Sequence, residues 1–404
     1  MRKWVTRALA LLLVIGIMTV MGVTLVKYGR NYAYGFFKSY TDYMPVDGDI
    51  FDNVSARIQK LDYNTENRLF GRDFFRHLCV AFQELLGKDV IAIGDSKMVK
   101  LTSGGYYDLF TDEYNDDKVK ELLAFADELK TEYGIPTHLT YCHGTLYEDG
   151  LLPGNTALMD TNNAFADEVT EWFRQAGVTV TDSRDTYARA GLTMDTAVNK
   201  SDVHWTMRMA LEVARDTAED LRKIGIGTEP QNLDIDRFTY DYYPSLLVGE
   251  YGRRVGENKV IRDDVLVWYP AYETQMLYEE LTGDEQGVRR EGSFKEAVVN
   301  EVNLECDEGR DYSTNAYYVY GHYLAITHTH NENAGDGRIL IFKDSFGTPV
   351  TAFMGLTAKD VYAVDLRSTK KTMKQWVEEL KPDVVVIAYS QQMLRDYEFV
   401  IEGN

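Results

Sequence analysis

The chain has few cysteines, and they form no recognisable pattern. Cys79, Cys142 and Cys306 are odd in number and widely spaced among 404 residues, so no disulfide framework can be deduced from them. No two of them have the spacing of a structural zinc site. At most one disulfide bond is possible, and the cysteines therefore do not indicate the compartment in which the protein works.

Positive charge is also scarce. Lys and Arg number 43 against 64 Asp and Glu, a formal net charge of −21. Such a chain repels phosphate backbones and anionic headgroups, which argues against nucleic acid as a partner and against broad adhesion to anionic lipid. The hydrophobic content of 45% and the aromatic content of 12% suffice for a core. The length then allows two average domains or one large α/β domain with insertions.

The N-terminus differs from the rest of the chain. An uncharged apolar run extends from Ala8 to Val26, and as a helix it would be about 28 Å long, close to the hydrocarbon thickness of a bilayer. This run and its flanking basic residues predict a single-pass membrane anchor in residues 1–30, with a cytoplasmic N-terminus and an extracytoplasmic remainder. A cleaved signal peptide is the alternative, although the run is long for one and no Ala-x-Ala site follows. In either case the remainder is exported.

After a juxtamembrane region at residues 31–85, predicted strands and helices alternate. The β-branched and aromatic composition of buried strands occurs at residues 137–142, 178–181, 339–342, 361–364 and 384–388. Helical periodicity occurs at residues 117–133, 163–176, 206–224, 349–356 and 370–380. This alternation predicts βαβ units and a mostly parallel sheet in an α/β domain that spans residues 86–404. Residues 226–335 are less regular, and we expect them to form a β-rich insertion.

A candidate nucleophile lies where one predicted strand ends. Residues 339–342 lead into the turn 344–347, and Thr348 is the expected N-cap of the helix that follows. Ser345 therefore lies on a strand-to-helix turn, beside free N–H groups that can stabilise an oxyanion. Most serines at such turns only cap a helix, so the turn by itself does not establish a nucleophile.

A second motif, Asp202-Val203-His204-Trp205, supplies the groups that such a serine needs. A serine hydroxyl requires an imidazole to take its proton, and the imidazole requires a carboxylate to fix its tautomer. Asp202 can hold His204 from the same loop, and Trp205 would shield the pair from water. Alone, this motif is more typical of a capped helix start. Together with Ser345 it predicts a Ser-His-Asp site.

Both motifs resemble the signature motifs of a known family. The residues 202–205 and Lys343-Asp344-Ser345-Phe346 are similar to the two motifs of the DHHW proteins, which are themselves similar to the alginate O-acetyltransferases of the AlgJ and AlgX type. The resemblance covers about residues 85–404, including a hairpin at 88–101 and a Gly-rich segment at 248–256. It implies an SGNH-hydrolase-like three-layer α/β/α domain with a mostly parallel sheet and a β-rich insertion, here preceded by one transmembrane helix. Val203 departs from the family motif, which has His there.

The resemblance also implies roles for individual residues. Ser345 would be the nucleophile, His204 the base and Asp202 its orienting acid, and Arg367 would be a pocket residue. Conventional SGNH enzymes use an Asn side chain in the oxyanion hole, whereas this chain has Gln391 after its last strand.

The oxyanion donors are therefore expected elsewhere. The candidates are the backbone from Ser345 through Phe346 to Gly347, and the side chains of Gln391 and Arg367. The strands that end at Ser345, at Asp365–Arg367 and at Tyr389–Gln391 would bring these groups to one edge of the sheet, where ligands bind in open parallel sheets.

The reaction that the resemblance implies is transfer of an acyl group, most often acetyl, to a cell-surface or secreted polysaccharide. No metal or organic cofactor is required, and a multi-spanning membrane acyltransferase would deliver the acyl donor. An esterase or deacetylase with the same triad is one alternative. A non-catalytic polysaccharide-binding subunit of an export complex is another. Catalysis predicts that Ser345 and His204 lie within hydrogen-bond distance, with Asp202 behind the imidazole, and the binding subunit predicts that they do not.

Other candidates are weaker. Ser96 follows a hairpin turn rather than preceding a helix, so we do not expect it to be a nucleophile. His328 and His330 point to the same side of a strand, as a metal site requires, but no third ligand is evident and we predict no metal site. Cys142 and His143 face opposite sides of a strand. The aromatic residues of the segments 240–244 and 268–270 either stack on sugar rings or pack the insertion.

Overall fold

The computed structural model describes residues 14–30, 70–94, 96–111, 114, 116–144, 147–282, 285–322, 325–397 and 399–402. The chain divides into two compact units, Met1–Leu86 and Gly87–Asn404. In the first unit, helix α1 covers residues 14–30 and helix α2 covers Arg72–Leu85. The N–H of Phe70 donates a hydrogen bond to Thr24 Oγ1 over 2.9 Å.

The membrane anchor stays a prediction. Among the residues that the structure describes, no helix is both long and apolar enough to cross a membrane. The apolar run begins at Ala8, and its first part, residues 8–13, lies outside the described residues. Most of the predicted juxtamembrane region, residues 31–69, lies outside them as well.

The second unit alternates strands and helices along most of its length. In chain order its strands are β1 (Val90–Ile93), β2 (Ser96–Lys100), β3 (Tyr106–Asp108), β4 (Thr137–Cys142), β5 (Thr179–Asp182), β6 (Phe238–Leu247), β7 (Asp263–Pro270), β8 (Met276–Thr282), β9 (Glu285–Gly292), β10 (Ile326–His330), β11 (Gly335–Lys343), β12 (Ala358–Val364) and β13 (Val384–Ser390). Its helices are α3 (Asp117–Glu128), α4 (Asn162–Gln175), α5 (Ser183–Ala190), α6 (Met194–Ala197), α7 (Met207–Lys223), α8 (Glu250–Val255), α9 (Phe294–Val298), α10 (Gly347–Met354), α11 (Met373–Leu380) and α12 (Gln391–Asp396).

An eight-stranded sheet organises the second unit. Its order is β5-β4-β13-β11-β12-β10-β8-β9. The first five strands are mutually parallel, and β10, β8 and β9 continue the sheet in antiparallel pairing. The prediction of a large, mostly parallel sheet in an α/β fold is therefore confirmed. The region 226–335 contains β6 to β10, of which β6 and β7 form a separate two-stranded sheet while the other three lengthen the main sheet.

The central strands β11 and β13 are apolar on both faces of the sheet, and helices cover both faces. Residues 339–342 of β11 and 384–387 of β13 are almost completely buried and apolar without interruption, as expected for parallel strands inside a layered fold. Because side chains alternate along a strand, Ile339 and Ile341 join a core with residues of α7 and α10, whereas Leu340 and Phe342 join a second core with residues of α3, α4 and α11. The result is three layers, helix on sheet on helix.

The predicted hairpin at 88–101 is also confirmed. Strands β1 and β2 pair antiparallel, with Ile93 opposite Ser96. Ser96 is thus the first residue of a strand, and no helix begins beside it.

Candidate active site

The turn after β11 is built by the Asp344 carboxylate. Its Oδ1 accepts a hydrogen bond from the Phe346 N–H at 2.9 Å, and its Oδ2 accepts one from the Ser390 N–H at 2.8 Å. Asp344 therefore closes the turn that carries Ser345 and ties the end of β11 to the end of β13. Helix α10 begins at Gly347, before the expected cap Thr348, because Asp344 rather than Thr348 organises the turn.

Gly347 allows the helix to start directly against the strands. A Cβ added there would lie 2.7 Å from Lys343 Cβ and 3.3 Å from the carbonyl oxygen of Ala388. Lys343 itself is buried and donates a hydrogen bond from Nζ to Thr348 Oγ1 over 3.1 Å. Burial lowers the pKa of this lysine to about 8. Glycine at position 347 is thus required by a close approach and not by a special backbone angle.

His204 connects Ser345 to Asp202. Its Nε2 lies 2.8 Å from Ser345 Oγ, and its Nδ1 forms a short hydrogen bond with Asp202 Oδ1. Since a carboxylate only accepts hydrogen bonds, the ring proton lies on Nδ1, and Nε2 is left to accept from the serine hydroxyl. This order of groups, carboxylate to imidazole to hydroxyl, is the arrangement that makes a serine nucleophilic.

The Asp202 carboxylate is buried but remains suited to carry a negative charge. Burial raises its pKa, whereas the charge of His204, the ring hydrogen bond and the N–H groups of Glu250 and His204 lower it, and together they hold the pKa below its usual value. The Glu250 N–H donates to Asp202 Oδ2 over 2.8 Å, and the His204 N–H donates to Oδ1 over 3.0 Å. An ionised Asp202 can therefore stabilise a protonated His204.

The loop around Asp202 is held from two sides. Gly249 passes so close that a Cβ added to it would overlap the Asp202 carboxylate, and its N–H donates to Ser201 Oγ over 3.0 Å. Asp263 accepts the N–H groups of Lys200 and Ser201 at 2.6 and 2.7 Å. Burial raises the pKa of Asp263 to about 6. The Gly-rich segment at 248–256 thus packs directly against the Asp202 carboxylate.

Aromatic rings enclose the imidazole. The Tyr317 ring stacks on His204 with centroids 4.0 Å apart and planes at 14°, and Phe346 contacts it at 4.7 Å. Tyr318 meets the imidazole edge to face at 5.9 Å, and Tyr317 Oη donates to the Ser345 carbonyl oxygen over 3.3 Å. Sequence reasoning missed both tyrosines, because the Tyr-rich segment around them has no spacing that separates a site from ordinary packing.

Ser345 and His204 open into a cleft of about 620 Å³. Besides Asp202, Val203 and Asp344, its lining includes charged and polar side chains from four segments, among them Glu250, Arg253, Arg254, Asn315, Arg367 and Gln392. Tyr318, Met393 and Tyr397 add aromatic and apolar surface. Another cleft of about 600 Å³, near Leu266 and Trp268, contains none of the three hydrogen-bonded residues.

Of the other residues predicted for the pocket, one lines the cleft and two are buried behind it. Arg367 lines the cleft, with its guanidinium hydrogen-bonded to both oxygens of Asp365 at 2.8 and 2.5 Å. Trp205 is fully buried and packs edge to face on Phe346 at 5.4 Å, behind the lining of the cleft. The Gln391 amide is buried against Gly144, and its neighbour Gln392 lines the cleft instead.

Two backbone N–H groups remain as candidates for oxyanion donors. The Phe346 N–H is occupied by Asp344. For the N–H groups of Ser345 and Gly347, the described part of the chain shows no hydrogen-bond acceptor. Both groups lie at the N-terminus of α10, where the helix dipole favours negative charge.

Comparison with known proteins relates this fold to solved structures. No family model matches the chain, and no curated protein matches it. A DHHW family protein from Eubacterium siraeum is similar with a TM-score of 0.55 and 13% identity, over 78% of this chain and 99% of that protein. Bacillus cereus PatB1 with a sulfonyl adduct is similar with a TM-score of 0.57 and 14% identity, over 76% of this chain and 98% of PatB1.

The O-acetyltransferase domain of Pseudomonas putida AlgJ is more distant. Its TM-score is 0.41 with 11% identity, over 75% of this chain and 94% of that domain. The first two similarities show a shared fold, whereas this third one is too weak to support an argument. The resemblance to DHHW proteins that the two motifs predict is confirmed at the level of the fold.

Proposed function

We propose that this protein is a serine-dependent O-acyltransferase that moves an acyl group, most often acetyl, to a hydroxyl of a polysaccharide. One observation carries the proposal: Asp202, His204 and Ser345 form an unbroken chain of hydrogen bonds that opens into a cleft. The binding-subunit hypothesis expected Ser345 and His204 to be apart, and their 2.8 Å separation favours catalysis.

The first half of the reaction would form an acyl-enzyme. Ser345 Oγ attacks the carbonyl carbon of the donor while His204 Nε2 takes the hydroxyl proton, and Asp202 stabilises the resulting imidazolium. The tetrahedral oxyanion accepts hydrogen bonds from the N–H groups of Ser345 and Gly347. The bond to the leaving group then breaks, and His204 returns its proton to that group, which leaves an ester on Ser345.

The second half would transfer the acyl group to a sugar. A sugar hydroxyl gives its proton to His204 Nε2 and attacks the ester carbonyl, and Ser345 leaves with the proton that His204 returns. The volume of the cleft lies in the range of small-molecule sites. Tyr318 and Tyr397 offer aromatic faces for sugar rings, and Asn315 and Gln392 offer polar groups for hydroxyls.

A neighbouring structure suggests how to test the nucleophile. PatB1, which shares this fold, has been seen with a sulfonyl adduct. Sulfonyl reagents modify activated nucleophiles. If this chain resembles PatB1 in that respect, Ser345 is where we expect such an adduct to form.

An esterase remains the second candidate. It would use the same three residues and give the acyl group to water, and the open cleft admits water as well as sugar. We further propose that the domain is extracytoplasmic and membrane-anchored. A multi-spanning membrane acyltransferase would then supply the acyl donor.

The test is acylation of the purified full-length chain by an activated acetyl ester, followed by intact mass with and without added oligosaccharide. Wild type is expected to show a burst and one acetyl adduct, both absent from Ser345→Ala. Ser96→Ala, which alters another Asp-Ser sequence of the chain, is the matched control and should behave as wild type. Faster deacylation with oligosaccharide, and acetyl recovered on the sugar, favours the transferase; acetate alone favours the esterase. No adduct in wild type would contradict both.

A further inference from the structure

A second cluster of histidines and a carboxylate lies on the antiparallel side of the sheet. His328 and His330 are two residues apart on β10 and therefore share a face. In the strand register His330 is opposite Asp360 of β12, and His328 is opposite Glu279 of β8. Asp360 is near the start of β12, whereas the cleft with Ser345 lies beyond its other end. We call His328, His330 and Asp360 the β10 cluster.

The three side chains of the β10 cluster converge on one point. His328 Nε2 and His330 Nδ1 lie 3.0 and 2.8 Å from the same oxygen, Asp360 Oδ1. One ligand atom from each residue lies within 4.8 Å of the others. Nitrogen and oxygen ligands of a tetrahedral zinc ion are about 2.0–2.2 Å from the metal, so such an ion fits after small side-chain rotations. Arg338 is 3.8 Å from Asp360 Oδ2, the other oxygen, which leaves Oδ1 facing the imidazoles.

The outer nitrogens of both rings face further carboxylates. His328 Nδ1 lies 3.2 Å from Glu279 Oε2, and His330 Nε2 lies 3.0 Å from Glu332 Oε1. Histidines that bind metals usually donate their other ring N–H to a carboxylate, which fixes the tautomer and orients the ring. The His328 ring is also stacked on Tyr362, with centroids 4.2 Å apart and planes at 3°. Both imidazoles are thus oriented as metal ligands are.

We propose that the β10 cluster binds one divalent first-row transition ion, zinc in the first place, with Glu279 and Glu332 orienting the two imidazoles. Two imidazoles and one carboxylate suit zinc, cobalt and nickel, whereas calcium and magnesium prefer sites built from oxygen alone. His328 and His330 are 15% and 28% exposed, so an ion can enter from solvent. Bound there, it would join β10 to β12 directly and to β8 through Glu279. This site is independent of the proposed acyl transfer.

The test uses the full-length chain, stripped with a chelator and titrated with Zn²⁺ by calorimetry and with Co²⁺ by visible absorption. We expect one ion per chain and the intensified ligand-field bands of four- or five-coordinate Co²⁺. His330→Ala and Asp360→Asn should each weaken binding by roughly a hundredfold or more, and Glu332→Gln by about tenfold, since carboxylates behind a ligand typically cost 10- to 100-fold. Zn²⁺ should also raise the unfolding temperature of the wild type.

The controls separate this site from other histidines. Asp360→Asn preserves the shape of the side chain, and circular dichroism checks that each variant is folded. His204→Ala removes a histidine whose carboxylate partner lies outside the β10 cluster, and it should leave Zn²⁺ affinity within about twofold, well below the cost of losing a ligand. Absence of saturable binding would show that the β10 cluster is a network of ion pairs only. Equal loss of binding in His204→Ala and His330→Ala would also overturn the proposal.

Discussion

Histidine faces carboxylate both in the candidate active site and in the β10 cluster, and the two places differ in what faces the second nitrogen of each ring. His204 has Asp202 on one side and the Ser345 hydroxyl on the other. His328 and His330 have carboxylates on both sides. A hydroxyl can give a proton to a ring nitrogen and a carboxylate cannot, so the first arrangement suits proton transfer and the second suits a cation.

Burial separates the two places further. His204 and Asp202 are almost completely buried and enclosed by aromatic rings, with only one side open to the cleft. The β10 cluster is partly exposed on a strand face. A dry imidazole keeps its hydrogen bonds strong and its orientation fixed, which catalysis requires, whereas an exposed one can exchange ions with solvent.

The largest expected effect is on the nucleophile. Ser345→Ala removes the atom that attacks the acyl carbon in the proposed reaction, and we expect ester turnover to fall by about 10³-fold or more. Ser96→Ala should change turnover by less than about twofold, because surface substitutions away from a site have small effects. The measurement is the initial rate with an activated acetyl ester. Equal losses of turnover in both variants would contradict the distinction between Ser345 and Ser96.

The next effect concerns the base and its acid. His204→Ala and Asp202→Asn should each lower turnover by about 10³-fold, because one removes the proton acceptor and the other leaves the ring in the wrong tautomer. Groups that act as a unit are not additive, so Ser345→Ala/His204→Ala should be no slower than Ser345→Ala alone. Additive losses in this cycle of rate measurements would mean that the two residues act separately.

A smaller effect is expected at Gly249. In Gly249→Ala the new Cβ overlaps the Asp202 carboxylate, so the acid must move and the imidazole loses its support. Turnover should fall by roughly 10²-fold, the cost of a displacement of about 1 Å in an active site. Gly105→Ala is the matched control, since its Cβ would meet Lys200 at an ordinary 3.5 Å. Retained turnover in Gly249→Ala would show that Asp202 need not hold its position.

The aromatic enclosure of His204 should matter less. Tyr317→Leu removes the ring stacked on the imidazole and should lower turnover by about tenfold, since such aromatic contacts contribute about 0.5–1.5 kcal/mol. Tyr317→Phe keeps the ring and loses only the hydrogen bond to the Ser345 carbonyl, and its effect should be smaller. Comparing turnover in the two variants separates the contribution of the stacked tyrosine ring from that of its hydrogen bond. A greater loss of turnover in Tyr317→Phe than in Tyr317→Leu would show that the hydrogen bond contributes more than the ring.

The smallest effect is on stability in acid. The pKa of Asp202 is lower in the folded chain than its usual value, so its contribution to stability is fully present above about pH 4 and is lost as pH falls through the folded value. Urea unfolding between pH 5 and pH 3 should therefore show a shallower loss of stability for Asp202→Asn than for wild type. Asp360, whose pKa is also lowered, should show the same sign. A steeper loss in Asp202→Asn would contradict the direction of this shift.

Much of the fold was predictable because its signals are local. The apolar runs at 339–342 and 384–388 are short and rich in β-branched residues, which is typical of buried strands, and both lie inside observed strands. The strands β8 and β9 were not assigned individually, because they are rich in charged residues, as is common near the edge of a sheet.

The site was predictable to the extent that its residues come in motifs. Asp202 and His204 are two residues apart, and Ser345 lies on a recognisable turn. The contacts that complete the site join distant segments: Gly249 covers Asp202, and Tyr317 stacks on His204. Such contacts leave no periodicity in the sequence. For the same reason the sequence showed two histidines on β10 but not Asp360, which the pairing of β10 with β12 brings beside them.

The measurement that tests the central claim most directly is the site of covalent labelling by an arylsulfonyl fluoride on the full-length chain. After labelling, peptide mass mapping identifies the modified residue, with His204→Ala as the comparison. If His204 activates Ser345, the wild type should carry one sulfonyl group on Ser345. In His204→Ala the rate of labelling of Ser345 should be lower by at least about 10²-fold. Labelling elsewhere, or an equal rate on Ser345 in the folded His204→Ala variant, would contradict the claim that this histidine makes this serine a nucleophile.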